Sequence, residues 1–137
     1  MELSLSEIIG IMEADQQNRT AAVRQLNVSS TMCLQILTQR PDLCRVLTLN
    51  KHLPADVLVK LAQSDDWRVR LDVAMKRSAP PETLEALASD PDEAVRAAVA
   101  QNRRTPIRLL RILSTDRETF VQDVARRSIA RSNGVRE

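Results

Sequence analysis

The chain has 137 residues, 43% apolar and 28% charged. That is enough for one soluble domain burying roughly two-thirds of its unfolded surface, with no apolar run long enough to span a bilayer. Its formal net charge of +2 conceals a split: residues 1–95 carry 10 Lys and Arg against 14 acids, and residues 96–137 carry 10 Arg against 4, an asymmetry that can mark an anionic partner at one end.

Trp67 and Phe120 are the only aromatic residues, tyrosine is missing, and Gly10 and Gly134 are the only glycines. Strands of sandwiches and barrels draw on aromatic and β-branched residues, so these folds are disfavoured. Glycine-rich phosphate loops cannot be built at all. His52, Cys33 and Cys44 are too few for a structural zinc site made from Cys and His. Two cysteines without a redox motif read as buried hydrophobes in a reducing compartment. The opening Met1-Glu2-Leu3-Ser4-Leu5 lacks the basic segment of a signal peptide. A small, bacterial-type cytoplasmic protein is expected.

In chain order, Ser4 and Glu7 form a capping box for a helix to about Asp15. A second helix is predicted from about Asn18 to Leu26, with Val23 and Leu26 inward. Residues 21–36 superficially resemble a DNA-reading helix-turn-helix. However, Asn27 replaces the usual turn glycine, the spacing back to Ala22 is one residue too long, and Ser29–Leu37 has no Lys or Arg for phosphates. The segment reads as the turn of a repeat. Leu34/Leu37 and Leu43/Leu47 fit the next helix pair, shortened by two residues around Gln39-Arg40-Pro41-Asp42.

A period of about 26 residues then aligns Pro54/Pro80/Pro106, Leu58/Leu84/Leu110, Leu61/Leu87/Leu113, Val69/Val95/Val121 and Val73/Val99/Ala125. Each copy reads as two short helices. The first follows a cap and a proline, as in Thr105-Pro106. The second opens at Ser89-Asp90-Pro91-Asp92-Glu93, with Asp90 as the cap, Pro91 in the first turn and acids at the positive helix end. The last helix should run from about Thr119 to Ser132-Asn133-Gly134, where glycine supplies a left-handed cap. Helices of about nine residues are unstable alone, so stacking of copies must supply the core. Leu61, Val69, Val73, Leu84, Leu87, Val95, Val99, Leu110, Leu113 and Val121 are predicted buried. One all-α domain over residues 1–137 is expected, with divergent repeats and a cap in 1–50, regular repeats in 51–131 and a tail in 132–137.

The run from Leu87 to Asn102, Leu-Ala-Ser-Asp-Pro-Asp-Glu-Ala-Val-Arg-Ala-Ala-Val-Ala-Gln-Asn, with Thr105-Pro106 after it, resembles a leucine-rich repeat variant unit, a relative of HEAT repeats. The resemblance is strong over 51–131 and faint over 1–50. It implies a right-handed superhelical solenoid of about five helix pairs, some of them 3₁₀, with the second helices lining a concave face. Some members of that family hold an iron–sulfur cluster on a cysteine-rich N-terminal extension. With two cysteines, this chain gives no basis for that cluster, and no cofactor is expected. HEAT-like units mostly bind proteins and some bind nucleic acid, so the resemblance points to recognition.

The Asp90/Val95/Arg96 spacing has partial copies in Ser64/Val69/Arg70 and Asp116/Val121/Gln122. By spacing, an Asp at the helix cap can meet an Arg of its own or the adjacent unit; in HEAT-like repeats such pairs form an inter-unit ladder, the alternative being ligand binding by Arg70 or Arg96. No nucleophile, base and oxyanion site converge: His52 lies in the turn Asn50–Pro54, Cys33 and Cys44 fall on apolar faces, and Glu82, Glu85, Asp90, Asp92 and Glu93 suit helix N-termini and solvated faces. A non-enzyme with no metal and no small-molecule substrate is expected.

Two recognition surfaces remain. Trp67, Leu71 and Met75 recur at i, i+4, i+8 beside the Val69/Val73 core stripe. The aligned positions are Glu93, Ala97 and Gln101 in the next unit and Thr119, Asp123 and Arg127 in the last. Arg45 and Leu49 extend the stripe, and Arg68 and Asp72 supply a rim. Either this is a partner-binding patch, or Trp67 packs between units as lone tryptophans usually do. The second surface is Arg103, Arg104, Arg108, Arg111, Arg126, Arg127 and Arg131. Within it Arg104, Arg108 and Arg111 are spaced to share a helix face, either simply solvated or facing a polyanion. The expected function is a non-catalytic protein-binding module (adaptor, regulator or neutralising immunity-type partner). Nucleic-acid binding through the basic C-terminal repeats is the alternative, and no membrane partner is expected.

Overall fold

The computed structural model describes residues 3–134, which are all-helical, with no strand. The first pair is α1 (Leu5–Glu13) and α2 (Gln16–Gln25). Ser4 Oγ accepts the Glu7 amide while a Glu7 carboxylate oxygen accepts the Ser4 amide at 2.7 Å, the expected capping box. Asp15 caps α2 by accepting the Asn18 amide at 3.1 Å, so this helix starts at Gln16, ahead of the expected Asn18.

The second pair is α3 (Ser30–Gln39), capped by Ser29, and a 3₁₀ turn at Pro41–Leu43 that runs into the one-turn α4 (Cys44–Leu47). Here the sequence register needs correcting. Leu34 is 37% exposed, whereas Cys33 and Ile36 are fully buried and hold the inward positions. Both sets are apolar with the same i, i+3 spacing. Counted from Cys33, this copy is shortened by one residue and not by the expected two.

Three regular pairs follow: α5 (Ala55–Leu61) with α6 (Trp67–Ala74), α7 (Pro81–Leu87) with α8 (Glu93–Gln101), and α9 (Ile107–Leu113) with α10 (Thr119–Gly134). Pro54, Pro80 and Pro106 are themselves the residues that enter the first helices, in extended conformation. Their carbonyls accept the first helical bonds, as when Pro106 takes the amide of Leu110. Thr105 is therefore not a cap, and its hydroxyl instead donates to the Val99 carbonyl at 2.6 Å. The cap of α8 is Asp92, which accepts the Ala94 amide at 2.8 Å, and not Asp90. Asp90 stands just ahead of it and accepts the Asp92 amide at 2.9 Å. The α10 helix continues through Gly134, and no described residue has positive φ, so the expected left-handed cap is not formed.

One apolar cluster extends from Ile8 and Met12 to Val121 and Ala125, and all ten residues predicted buried belong to it. The second helices pack in series, α2 on α4, α4 on α6, α6 on α8 and α8 on α10.

Two polar series tie successive pairs together. Arg70 Nε donates to Asp90 at 2.7 Å and Arg96 Nε to Asp116 at 2.9 Å. Each guanidinium also donates to a carbonyl of its own pair: Arg70 to Ser64 at 2.8 Å and Arg96 to Asp90 at 2.7 Å. These forks are nearly dry, with the Arg96 and Asp116 side chains 4% and 9% exposed. At the opposite helix ends, Asn50 donates to the carbonyls of Val23 and Leu26, Lys76 to that of Asn50, Asn102 to those of Ala74 and Lys76, and Ser128 to that of Ala100. Carbonyls at or just beyond a helix C-terminus have no intrahelical partner, and each pair satisfies those of the pair before it.

Candidate partner-binding face

The α6 helix begins where Asp66 accepts the Arg68 amide at 3.0 Å, leaving Trp67 as its first residue. Val69 and Val73 are buried on one side. On the other, Trp67 is 44% exposed and Met75 is 58% exposed, with Leu71 half-buried between them against the core. Of the two readings of Trp67, the exposed one describes the structure. In α8 the aligned Glu93 and Gln101 are exposed and Ala97 is buried; in α10 Thr119 and Arg127 are exposed and Asp123 is half-buried. Arg45 on α4 and Leu49 in the turn after it are exposed as well.

The two rim residues differ. Arg68 is exposed and pairs with Asp66 at 3.1 Å. That guanidinium, with the Arg68 amide and the nearby Arg45 charge, holds the Asp66 carboxyl below its ordinary range. Asp72 is half-buried and accepts the hydroxyl of the buried Thr48 at 2.8 Å, so it is occupied in tying α6 to the preceding pair.

A cleft of about 210 Å³ lies between the C-terminal ends of α6 and α8, lined by Met75, Arg77, Ala98, Gln101, Asn102 and Arg103. Arg77 lies outside the stripe that the helical spacing marks out. A signal for it was present, because Arg77 and Arg103 stand one repeat apart in equivalent turns.

The seven C-terminal arginines are all exposed, but the helix face expected to be shared by Arg104, Arg108 and Arg111 is not formed. Arg103 and Arg104 lie in the turn before α9, so Arg104 shares no helix face with Arg108 and Arg111. Arg108 is paired with Glu85 at 3.1 Å, and Arg131 reaches the Gln101 carbonyl at 3.4 Å. Arg111, Arg126 and Arg127 are exposed. Arg103 and Arg131 also line a larger cavity of about 510 Å³ together with Asn102, Thr105 and Ser128.

His52 is exposed in its turn and its amide donates to Asn50. Burial pushes the Cys33 thiol up to about 11, with a smaller contribution from the Asp56 charge, which suppresses the thiolate that nucleophilic or metal chemistry needs. Among the described residues, no three His, Cys, Asp or Glu side chains gather where they could hold a metal ion.

These features define an all-helical protein of repeated pairs with an exposed apolar stripe on one second helix. Residues 67–92, from the start of α6 to the cap of α8, match a family model described as leucine rich repeat variant. Comparison with curated proteins found no match, and comparison with solved structures found none. No helix among the described residues is long and apolar enough to cross a membrane.

Proposed function

We propose that the chain is a non-catalytic, protein-binding repeat module acting in the cytoplasm, where its two unbridged cysteines stay reduced. In this reading its helix pairs wind as a right-handed solenoid with a repeat of about 26 residues. The serial packing of the second helices supports their lying on the inner, concave side, while α7 rests chiefly on its neighbours α6 and α8.

The observation that carries the reading is the exposure of Trp67 and Met75 on a helix whose opposite side is fully in the core. Exposed tryptophan is a residue type that dominates interface energetics. An adaptor, regulator or neutralising partner fits such a face. The second reading, nucleic-acid binding, is favoured by the exposed Arg103, Arg104, Arg111, Arg126 and Arg127.

Capture from native lysate tests the two. The intact chain should retain a protein that the Trp67→Ala, Met75→Ala double variant loses, by about 2 kcal/mol or more of affinity. Retention by both chains alike would refute the assignment to this face. A duplex DNA shift that fades between about 50 and 200 mM salt would favour the second reading, because phosphate contacts release counterions.

A further inference from the structure

Resting on that protein-binding reading, we infer that the face takes an acidic segment of another protein, with two large apolar side chains followed by a pair of carboxylates. The apolar stripe from Trp67 to Met75 runs the length of α6, about 12 Å at the helical rise. Two anchors at i and i+7 on a partner helix span nearly the same length. At its Met75 end the stripe opens into the cleft between α6 and α8, whose lining holds Arg77 and Arg103 and no acid. Both arginines are exposed, and neither is in an ion pair among the described residues. Ala98 lines the cleft beside them with only a methyl group, leaving room for an inserted side chain next to Met75. An apolar anchor there places the following carboxylates against two guanidiniums, a charge-assisted and geometrically specific contact.

The same charges argue against other occupants. A symmetric contact with a second copy brings a patch against itself, and the acid that borders this stripe, Asp66, is already held by Arg68 at 3.1 Å. Nucleic acid would engage the arginines and leave the Trp67–Met75 stripe without a partner.

The test uses the full chain, isotope-labelled for amide NMR, and four probes. The first is a peptide of about five helical turns, with leucines at i and i+7 followed by two glutamates. The others are the same peptide with glutamines for the glutamates, a scrambled acidic peptide, and a short DNA duplex. The acidic peptide should shift amides in 67–77 and 98–103 and bind about tenfold or more tightly than its glutamine counterpart. Arg77→Gln with Arg103→Gln should abolish that difference at unchanged melting temperature. Equal binding of the acidic and glutamine peptides overturns the acidic assignment and leaves the protein-binding reading standing. Equal binding of the scrambled peptide overturns the anchor spacing. A shift of this face by DNA alone overturns both the inference and the wider reading, and a Trp67-dependent dimer assigns the face to a second copy. If no probe binds, the inference falls, and lysate capture decides the wider reading separately.

Discussion

At the scale of single residues, Trp67 and Cys33 show what position within a repeat decides. Trp67 stands in a column whose other members, Glu93 and Thr119, are exposed, so its exposure could be read from its neighbours more reliably than from its own hydrophobicity. Removing it costs few core contacts. Trp67→Ala should therefore leave thermal melting within about 1 kcal/mol of the parent, as surface changes do. Loss of roughly 3–5 kcal/mol, the range for a buried aromatic, would show the ring to be core after all. Cys33 was legible as a buried thiol. That Cys33 and Ile36 and not Leu34 turn inward was not, since either set gives α3 an apolar stripe at the same spacing.

At the scale of elements, the Arg–Asp series was legible as a spacing. Whether the pairs close within a unit or across units was left open by the chain and is answered by Arg70 with Asp90 and Arg96 with Asp116. The second series was invisible. Asn50, Lys76, Asn102 and Ser128 share a column and a task, donating to carbonyls of the preceding pair, yet an amide, an amine and a hydroxyl have no common signature in a sequence. The Arg96–Asp116 rung gives a pH prediction. Burial raises the Asp116 pKa, but hydrogen bonds from the Arg96 guanidinium and the Glu118 amide outweigh it, and the net shift is downward. A carboxyl whose folded pKa is lowered stabilises the fold above its unfolded pKa near 4, and that contribution disappears as pH falls through the lowered value. Stability of the parent relative to Asp116→Asn should thus be greatest at neutral pH and shrink as pH drops from about 5 to 3. At pH 7 the substitution leaves Arg96, 4% exposed, without its partner and should cost about 3–5 kcal/mol by denaturant melts. A difference that stays constant with pH would show that the rung is not titrating.

At the scale of the whole molecule, the apolar cluster passes from pair to pair without interruption, and α8 packs on both α9 and α10. A fragment ending at Arg104 would strip α9 and α10 from α8 and take away Asp116 from Arg96. It should lose cooperative melting or solubility. A soluble fragment 1–104 that melts in one sharp transition would contradict a core shared between pairs. The helix pairs, their order and most of their core residues were readable from leucine, valine and proline columns. The N-terminal pairs were less so, because α3 and α4 are joined through a 3₁₀ turn at Pro41–Leu43 that breaks the spacing.

The rungs themselves have a bearing on how such a chain can change length. Each bridging arginine belongs to one pair and its aspartate to the next, and where the series stops both roles lapse. Cys44 and Ser64 are neutral together, and the side chain of Gln122, neutral too, donates to the Asp116 carbonyl. Excision of one repeat length, from Leu71 through Arg96, would bring Arg70 into register with Asp116. One rung would go and no buried ion would be orphaned. Loss of one whole copy would thereby leave the buried charges of the remaining rung balanced.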